Sequence, residues 1–381
     1  MSSLNNQGKE FVDPAREYSE PGQQGHQVFA MPPGLIDQVA ALEMSLDTPH
    51  EYPPLTRIFT PTDQVVVVLD ELFCSRQELL APIIDRIVMG GLNANQITFL
   101  VPNQDLESKL LETLPDRFEE AVISVHEPGN PSRNSIVAVS SSGQRISFAR
   151  VLSEADQVVV AGLTGKRAHQ GFVGGTHQLW PGLAEKQTEV PNKVSFGKSF
   201  RPDYTKVDED SREACWLLGA PFFIMAVPGK GGNPSRFISG SEEALNEAYK
   251  SDQVGFSASK SGKWKTGLGR WEARETAIPF DEMVDTACRL AEFLEPGSPI
   301  NLDLGNHASA ADGVADMRLG SNPHGDTMAR LWTRILSKNP IHIWGSGVEA
   351  LAKALAVIPH IGKPDLETDG PWLILEDGYW G

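Results

Sequence analysis

Two runs of consecutive apolar residues constrain the fold of this chain more than any other feature. The segments 64–69 (QVVVVL) and 157–162 (QVVVAG) contain no charged residue. Each has the length of a strand, and such runs are typical of strands covered on both faces, as in parallel sheets. Apolar residues then recur at helical spacing over 79–88, and Gly90-Gly91 ends that pattern. This alternation predicts an α/β fold with mostly parallel sheets.

Further elements follow from the same two periodicities. Strands are predicted at 97–101, 121–125, 146–148, 300–304, 341–344 and 372–375, and helices at 106–114, 281–294, 326–336 and 350–356. Ser75 with Glu78, and Ser346 with Glu349, have the spacing of capping boxes at helix starts. The polar segments 227–236 and 251–271 are predicted loops.

The length of the chain and the positions of its prolines predict the domain organisation. A chain of 381 residues is long enough for two ordinary domains. Residues 1–60 are polar and interrupted by prolines, so they predict an N-terminal arm or wrapping segment. We expect a first α/β domain over 61–258 and a smaller C-terminal α/β domain over 270–381.

The balance of charge restricts the partners of the chain. The formal net charge of −17 argues against general nucleic-acid binding, which needs a basic surface. No apolar stretch approaches the roughly 20 residues of a membrane span, and the N-terminus lacks the layout of a signal peptide. We therefore expect a cytoplasmic protein without nucleic-acid or membrane partners.

One segment departs from this acidity. Residues 161–206 hold seven basic and three acidic side chains. A basic segment in an acidic chain favours an anionic ligand, because the surrounding negative field would otherwise repel it. The alternative is a solvated lysine-rich face.

The cysteines offer no chemistry of their own. Cys74, Cys215 and Cys288 are scattered and odd in number, so they predict neither a disulfide framework nor a cysteine zinc site. Since none has an activating motif beside it, we do not expect a nucleophilic thiol.

The loop that leaves the second apolar run, residues 163–182 (LTGKRAHQGFVGGTHQLWPG), concentrates the reactive side chains. Ligands of parallel α/β sheets bind beyond the carboxyl ends of the strands. Glycines such as Gly174 and Gly175 permit positive φ and a close approach of backbone N–H groups to an anion. The imidazoles of His169 and His177 can move protons near neutral pH or bind a metal. The loop is therefore a candidate anion site, with an ordinary turn as the alternative.

The stretch 149–188 resembles the nickel-dependent lactate racemase family and its 2-hydroxyacid racemase and epimerase relatives. A skeleton of matching residues carries the resemblance in order and spacing, namely Gly171, Phe172, Gly174, Gly175, Pro181 and Gly182. Weaker similarity covers 64–101 and 237–249, so the resemblance extends over residues 60–260.

The resemblance implies two α/β domains with a ligand cleft between them, and a redox racemisation. In that family, a nickel pincer nucleotide takes hydride from C2 of a hydroxy acid and returns it to either face. The resemblance further implies histidines as general base and acid, a lysine attached covalently to the cofactor, a histidine that binds nickel, and an arginine on the substrate carboxylate.

Several positions that carry this chemistry hold other residues in this chain. The cofactor-attaching lysine falls on His177, and the nickel-binding histidine falls on Lys193. One catalytic histidine falls on Arg167, with His169 two residues away. The scaffold therefore matches the family better than the reactive side chains do.

The loops that follow the first two strands also differ from the family in their reactive residues. The family's other catalytic histidine falls in 102–104, which reads Pro-Asn-Gln. Its arginine-bearing loop has become 70–76, in which Arg76 supplies a guanidinium after a local shift.

These correspondences predict the site. The predicted catalytic residues are Arg167, His169 and His177. The predicted cofactor-binding residues are Gly174, Gly175, His177, Lys193 and Asp70, and the predicted substrate-binding residues are Arg76, Lys166 and Arg167. His177 is also a candidate metal ligand.

Each of these residues also has a structural interpretation. Asp70, at the end of a strand, is either a site residue or a helix cap. His126, His307 and His324 lie in loops where an ordinary structural role is the alternative to a place in the cleft.

Three functions remain open at this point. The first is a divergent racemase or epimerase of a 2-hydroxy acid or related anion, with a nickel pincer nucleotide held non-covalently. The second is a non-catalytic protein that binds a nucleotide or hydroxy acid on the same scaffold. The third is unrelated chemistry that uses Arg167, His169 and Asp70.

Overall fold

The computed structural model describes most of the chain. The described residues are 19–21, 26–141, 143, 145–167, 171–184, 203–219, 221–243, 245, 264–271, 278, 280–305, 323–366 and 371–376.

The first sheet has six strands. Their order from one edge is β12 (Pro234–Gly240), β11 (Phe222–Pro228), β8 (Gln157–Leu163), β3 (Val65–Leu69), β4 (Ile97–Val101) and β5 (Val122–Val125). Every neighbouring pair is parallel except β12 with β11, which is antiparallel. The two apolar runs of the sequence are β8 and β3, which lie side by side in the middle of this sheet.

Burial on both faces explains why these central strands show no alternation. Val65 and Val67 pack into the core on one face of the sheet. Val66 and Val68 pack into a separate core on the other face. A strand with a core on each side must be apolar at successive positions.

Helices and two hairpins surround the first sheet. The helices are α1 (Gln38–Asp47), α2 (Glu71–Cys74), α3 (Gln77–Met89), α4 (Gln104–Thr113), α5 (Arg150–Glu154), α6 (Thr176–Leu179) and α7 (Thr205–Leu217). The hairpins are β6 (Asn134–Val139) with β7 (Arg145–Ala149), and β9 (Gly165–Arg167) with β10 (Gly171–Val173).

The second sheet has seven strands within the described ranges. Their order is β1 (Ser19–Pro21), β2 (Gln27–Phe29), β17 (Leu373–Glu376), β13 (Gly267–Arg270), β14 (Ile300–Asp303), β15 (Ile341–Trp344) and β16 (Ile358–His360). Among its described strands, only β1 and β2 pair antiparallel. The helices of this part are α8 (Phe280–Phe293), α9 (Pro323–Lys338) and α10 (Glu349–Leu355).

The N-terminal segment contributes to both sheets. Strand β2 adds to β17 in the second sheet, whereas Leu42 and Leu46 of α1 are fully buried in a core of the first sheet. The predicted domain boundaries at 60, 258 and 270 stay predictions. Among the described helices, none combines the length and the apolar character needed to cross a membrane.

The predicted α/β class with mostly parallel sheets is confirmed, but two details of the sequence reading are wrong. Neither capping box forms, since Arg76 and Val348 precede their helices without a side-chain cap. Ser75 instead follows α2, and its backbone N–H donates to the Glu71 carbonyl.

The two segments predicted to be loops contain strands as well. Strand β11 runs on to Pro228, and β12 begins at Pro234, so the loop between them is short. In the segment 251–271, residues 251–263 lie outside the described residues, and β13 occupies Gly267–Arg270.

Candidate functional site

The carboxyl ends of β3 and β8 meet at one edge of the first sheet. Asp70 follows β3, and its carboxylate accepts hydrogen bonds from the backbone N–H groups of Phe73 at 3.3 Å and Leu163 at 2.5 Å. Asp70 is therefore the cap of α2 and also a tie between the two strands. Desolvation raises the pKa of Asp70 from 3.8 to about 6, although these backbone hydrogen bonds act against the rise. This carboxyl can hold or release a proton near neutral pH.

A tight glycine turn lies against the same strand end. Gly174 has φ +85° and Gly175 has φ +53°, a region that favours glycine. A Cβ on Gly174 would lie 2.4 Å from the carbonyl oxygen of Leu163, so the close approach also requires glycine. Leu163 thus contacts Asp70 through its N–H and Gly174 through its carbonyl group. The turn then leads into α6.

Gln178 of α6 closes over this strand end. Its Nε2 donates to the carbonyl of Ala161 at 3.1 Å. A Cβ on Gly162 would lie 2.2 Å from Gln178 Oε1 and 3.3 Å from Asp70 Oδ2, so both polar side chains lie against this glycine. Gln178 Oε1 is buried and has no hydrogen-bond partner among the described residues. It is an acceptor available to a protonated Asp70 or to a ligand hydroxyl.

His177 lies in the first turn of α6, beside an acidic side chain of α7. Its Nε2 is 2.9 Å from Asp208 Oδ1, and the two side chains are 9% and 36% exposed. Within the described part of the chain, Asp208 Oδ1 has no hydrogen-bond partner, so the two side chains are in contact without hydrogen-bond geometry. The imidazole therefore lies in the field of a carboxylate.

Packing of α7 on α6 holds this pair in place. The Ser211 hydroxyl donates to the carbonyl of Trp180 at 2.8 Å. The Cys215 thiol donates to the carbonyl of Thr176 at 3.9 Å. Both contacts are buried, so the two helices have little freedom to shift against each other.

Several predicted site residues lie wholly or partly outside the described residues. His169, Lys193 and His307 are among the residues that are not described, as are the side chains of Lys166, Arg167 and His324. The backbone places Arg167 opposite Gly171 in the β9–β10 hairpin. This hairpin directly precedes the Gly174 turn.

Arg76 has protein partners instead of an open position. Its Nη1 donates to Gln38 Oε1 at 3.0 Å and to Asn233 Oδ1 at 3.2 Å. Its Nη2 donates to the carbonyl of Gly232 at 3.3 Å. The guanidinium therefore connects α1 to the loop between β11 and β12.

Two further polar groups are buried near these strand ends. His126 follows β5, and its Nε2 lies 3.1 Å from the carbonyl oxygen of Ala184. Burial lowers the pKa of His126, which favours the neutral ring. Thr164 follows β8 and is 1% exposed, and its hydroxyl has no partner within the described part of the chain.

The described donor set is poor in metal ligands. Among the described residues, no group of three or more His, Cys, Asp or Glu side chains is arranged to hold a metal ion. His177 is the histidine at the glycine turn, and its Nε2 faces Asp208.

Sequence reasoning missed Asp208 and Gln178. Gln178 follows His177 directly, so the predicted site could have been extended by one residue. Asp208 is distant in sequence, and its acidic position in the first turn of α7 is an ordinary feature of helix starts. No local pattern connects it to the glycine turn.

Comparison with known proteins identifies the scaffold. Residues 25–198 match the family model of the lactate racemase N-terminal domain. No curated protein matches the sequence. The resemblance to the lactate racemase family that the sequence indicated is thereby confirmed for this part of the chain.

Solved structures extend the likeness in fold to nearly the whole chain. The lactate racemase apoprotein from Thermoanaerobacterium thermosaccharolyticum matches with a TM-score of 0.70 and 15% identity, over 93% of this chain and 94% of that one. A protein from Thermotoga maritima matches with a TM-score of 0.52 and 13% identity, over 88% of this chain and 94% of that one. At this identity the likeness shows a shared fold.

Proposed function

We propose that the chain is a divergent, cytoplasmic racemase or epimerase of a 2-hydroxy acid or a related small anion. The observation that carries this proposal is the arrangement around Leu163, in a domain that matches lactate racemase. Three features lie around this residue. They are a carboxyl with a pKa of about 6, a glycine turn with positive φ, and an imidazole in contact with a carboxylate. A carboxyl with a raised pKa at the carboxyl edge of a parallel sheet, as at Asp70, is typical of a reaction site.

The side chains fit a nickel pincer nucleotide held non-covalently better than one attached to the chain. An imidazole at 177 cannot form the amide-type linkage of the family's lysine, and this ring is already paired with Asp208. The buried Gln178 Oε1, which has no hydrogen-bond partner among the described residues, offers an acceptor for a nucleotide hydroxyl. When bound, such a cofactor supplies a reversible hydride acceptor for C2 of the substrate.

Residues of this chain would bind the cofactor and the anion. Gly174 and Gly175 let backbone N–H groups face a phosphate, and Lys193 would add charge. Asp70 suits a ribose hydroxyl, the usual partner of a carboxylate at such a strand end. Lys166 and Arg167, in the hairpin next to the turn, would hold the substrate carboxylate.

Proton transfer at the substrate hydroxyl is the remaining task. His169 and His177 have the side chain suited to it at neutral pH. Arg76, also predicted as a substrate residue, donates to Gln38 and Asn233, and these hydrogen bonds favour a structural role.

The test begins with the full chain expressed in cells that make the pincer nucleotide. We expect about one nickel per chain and the cofactor mass in native spectra, with the cofactor lost on denaturation because nothing attaches it. Single enantiomers of 2-hydroxy acids should then lose optical purity. Loss of purity without bound cofactor, or a cofactor that stays attached after denaturation, would contradict this version of the proposal.

A substitution at the attachment position sharpens the test. His177→Lys restores the residue type that the family uses there, so the chain should gain the cofactor mass covalently. His126→Gln, at a different strand end, is the control and should gain no adduct.

The alternative is a non-catalytic protein that binds a nucleotide or hydroxy acid on this scaffold. It is favoured by the residues at the reactive positions, where His177, Arg167 and Lys193 replace the family's lysine and histidines. Calorimetry that shows tight binding of a nucleotide or hydroxy acid, with every enantiomer unchanged after prolonged incubation, would favour this alternative.

A further inference from the structure

The N-terminal segment joins the second sheet through a short parallel strand. Strand β2 pairs with β17, and Phe29 at its end is buried in the core of this sheet. The backbone N–H of Gln27 donates to the carbonyl of Trp372 at 2.9 Å. Because β2 runs parallel to β17, Phe29 lies at the carboxyl edge of the second sheet, the kind of edge where ligands of parallel sheets bind.

A few residues further on, the same segment is bound to the first sheet. The carbonyl of Pro32 accepts the backbone N–H of Lys230 at 2.7 Å, and the N–H of Leu35 donates to the carbonyl of Pro234 at 2.8 Å. Lys230 follows β11 at its carboxyl end. Residues 26–35 are therefore a tether between the carboxyl edges of the two sheets. Its three residue steps from Phe29 to Pro32 span at most about 11 Å.

The two ends of the tether differ in how firmly they are held. At the first sheet, the tether leads into α1, whose Leu42 and Leu46 are fully buried. Arg76 also donates to Gln38, the first residue of that helix. At the second sheet, the anchor is the three-residue strand β2 together with the side chain of His26. A change at His26 should therefore release the second end before the first.

The imidazole of His26 closes this second end. Its Nδ1 accepts the backbone N–H of Trp372 at 2.9 Å, in a buried hydrogen bond. Nδ1 must therefore carry a lone pair, and the neutral ring has its proton on Nε2. His26 is 9% exposed, and within the described part of the chain no charged side chain forms an ion pair with it. Trp372 itself packs with Leu268 and Ile374, so this part of β17 and β13 is apolar.

A second proton on the ring removes this hydrogen bond. A charged imidazole carries a proton on both nitrogens, so its Nδ1–H would face the N–H of Trp372 and neither group would have an acceptor. Because Trp372 is 1% exposed, water has little access to replace the lost acceptor. A buried donor without a partner is costly. The charged ring is thus incompatible with the docked position of β2.

We propose that His26 is an acid-sensitive clasp of the tether, and that its opening lets the carboxyl edges of the two sheets move apart. The neutral ring holds β2 on β17, and the doubly protonated ring releases it. A histidine side chain gains its second proton between pH 8 and pH 5. One side chain therefore sets how closely the two edges approach, whether or not the chain is a racemase.

A second pair of histidines must be separated from this effect. His342 and His360 also lie in the second sheet, on β15 and β16. Strands β13 and β14 separate β15 from β17. A measurement that resolves individual strands therefore distinguishes the clasp from this pair.

Hydrogen–deuterium exchange of the full chain at pH 7.5 and 5, corrected for the intrinsic rate at each pH, is such a measurement. Peptides that cover β2 and β17 should lose protection about 10-fold at pH 5 in the wild type, and those of β14 should not. His26→Asn supplies an acceptor oxygen that does not titrate, so it should keep the protection at both pH values. His26→Leu has no acceptor and should lose it at both.

Two histidine variants are the controls for this exchange experiment. His50→Gln, at an exposed position, and His342→Gln should both show the loss of the wild type over β2. Equal protection of β2 at the two pH values in the wild type would overturn the proposal, whether or not any variant folds. So would the full pH-dependent loss in a folded His26→Asn chain.

The separation of the two sheets has its own readout. Spin labels at Leu111→Cys on α4 and Thr333→Cys on α9 are exposed, whereas the native cysteines are buried. The distances between the labels should shift to longer values from pH 7.5 to 5, and should not shift when His26→Asn is added. If His26→Leu releases β2 in the exchange experiment but leaves the distances unchanged, the tether does not limit the separation, and the proposal fails.

Discussion

The Asp70 carboxylate accepts the backbone N–H of Leu163 at 2.5 Å, across the junction of the two central strands. This hydrogen bond joins the loop after β3 to the loop after β8, the two loops that carry the candidate site. It is made by a group whose pKa is about 6, so its strength depends on pH near neutrality. The hydrogen bond that joins the two loops should therefore change in strength when the Asp70 carboxyl gains or loses its proton.

Asp70 should make the stability of the protein depend on pH. Its pKa is about 6 in the fold and 3.8 as the ordinary value, so the folded chain binds the extra proton between these pH values. The stabilisation is complete below pH 3.8 and is lost as pH rises through 6, by up to about 3 kcal/mol. Urea unfolding from pH 4 to 7 should show this loss in the wild type and not in Asp70→Asn.

The control for Asp70 is an exposed carboxylate. Asp105→Asn, in the first turn of α4, should keep the pH dependence of the wild type. Parallel curves for the wild type and Asp70→Asn would contradict the raised pKa.

A side chain at position 162 should force the Gln178 side chain out of its place. A Cβ at 162 would lie 2.2 Å from Gln178 Oε1, so Gly162→Ala should cost about 1–3 kcal/mol of unfolding free energy. Gln178→Ala should relieve part of that cost, which a double-mutant cycle measures. Gly129→Ala is the control, because nothing lies within 4 Å of its added Cβ. Additive effects of the two substitutions would show that they do not contact each other.

The sequence predicted the strands best where burial leaves a continuous pattern. The runs that form β3 and β8 have a core on each face, so successive residues are apolar and the run is easily recognised. By contrast, the pattern predicted no element over 205–221, where the structure has α7. Its apolar stripe is short and mixed with charged residues, so periodicity was a weak signal there.

The candidate site was predictable where chemistry follows a strand end in sequence. Asp70 and Gly174 lie directly after β3 and the β9–β10 hairpin, so their places follow from the sheet. The pairing of His177 with Asp208 was not predictable. It depends on how α7 packs on α6. The two residues are far apart in sequence, and no local sequence pattern indicates that they are in contact.

The three cysteines should be unreactive in the folded protein. Burial, and then the Asp70 carboxylate, raise the pKa of Cys74 to about 12, and burial raises that of Cys215. Cys288 is fully buried. Since the thiolate is the reactive form, a thiol reagent at pH 8 should label none of the three before unfolding and all three in urea. Rapid labelling of one cysteine in the native chain would show an accessible thiolate.

The two histidines at the edge of the second sheet should lower stability in acid. His342 Nδ1 lies 2.7 Å from His360 Nε2, and the ring planes are nearly parallel with centroids 5.0 Å apart. One proton can lie between these nitrogens, and a second would place two N–H groups against each other. The Trp344 ring stacks on the His360 ring with centroids 4.2 Å apart, which limits movement of the imidazole.

The direction of this pH dependence follows from the pKa of His342. Burial, and then His360, lower that pKa from 6.5. The unfolded chain then binds the proton more readily, so stability is present above pH 6.5 and is lost as pH falls below it. Unfolding free energies at pH 7.5 and 5 should differ more for the wild type than for His342→Gln. His50→Gln, an exposed histidine, should behave as the wild type does. If His342→Gln keeps the full acid sensitivity, the imidazole pair does not limit the second protonation, and the loss of stability arises elsewhere in the chain.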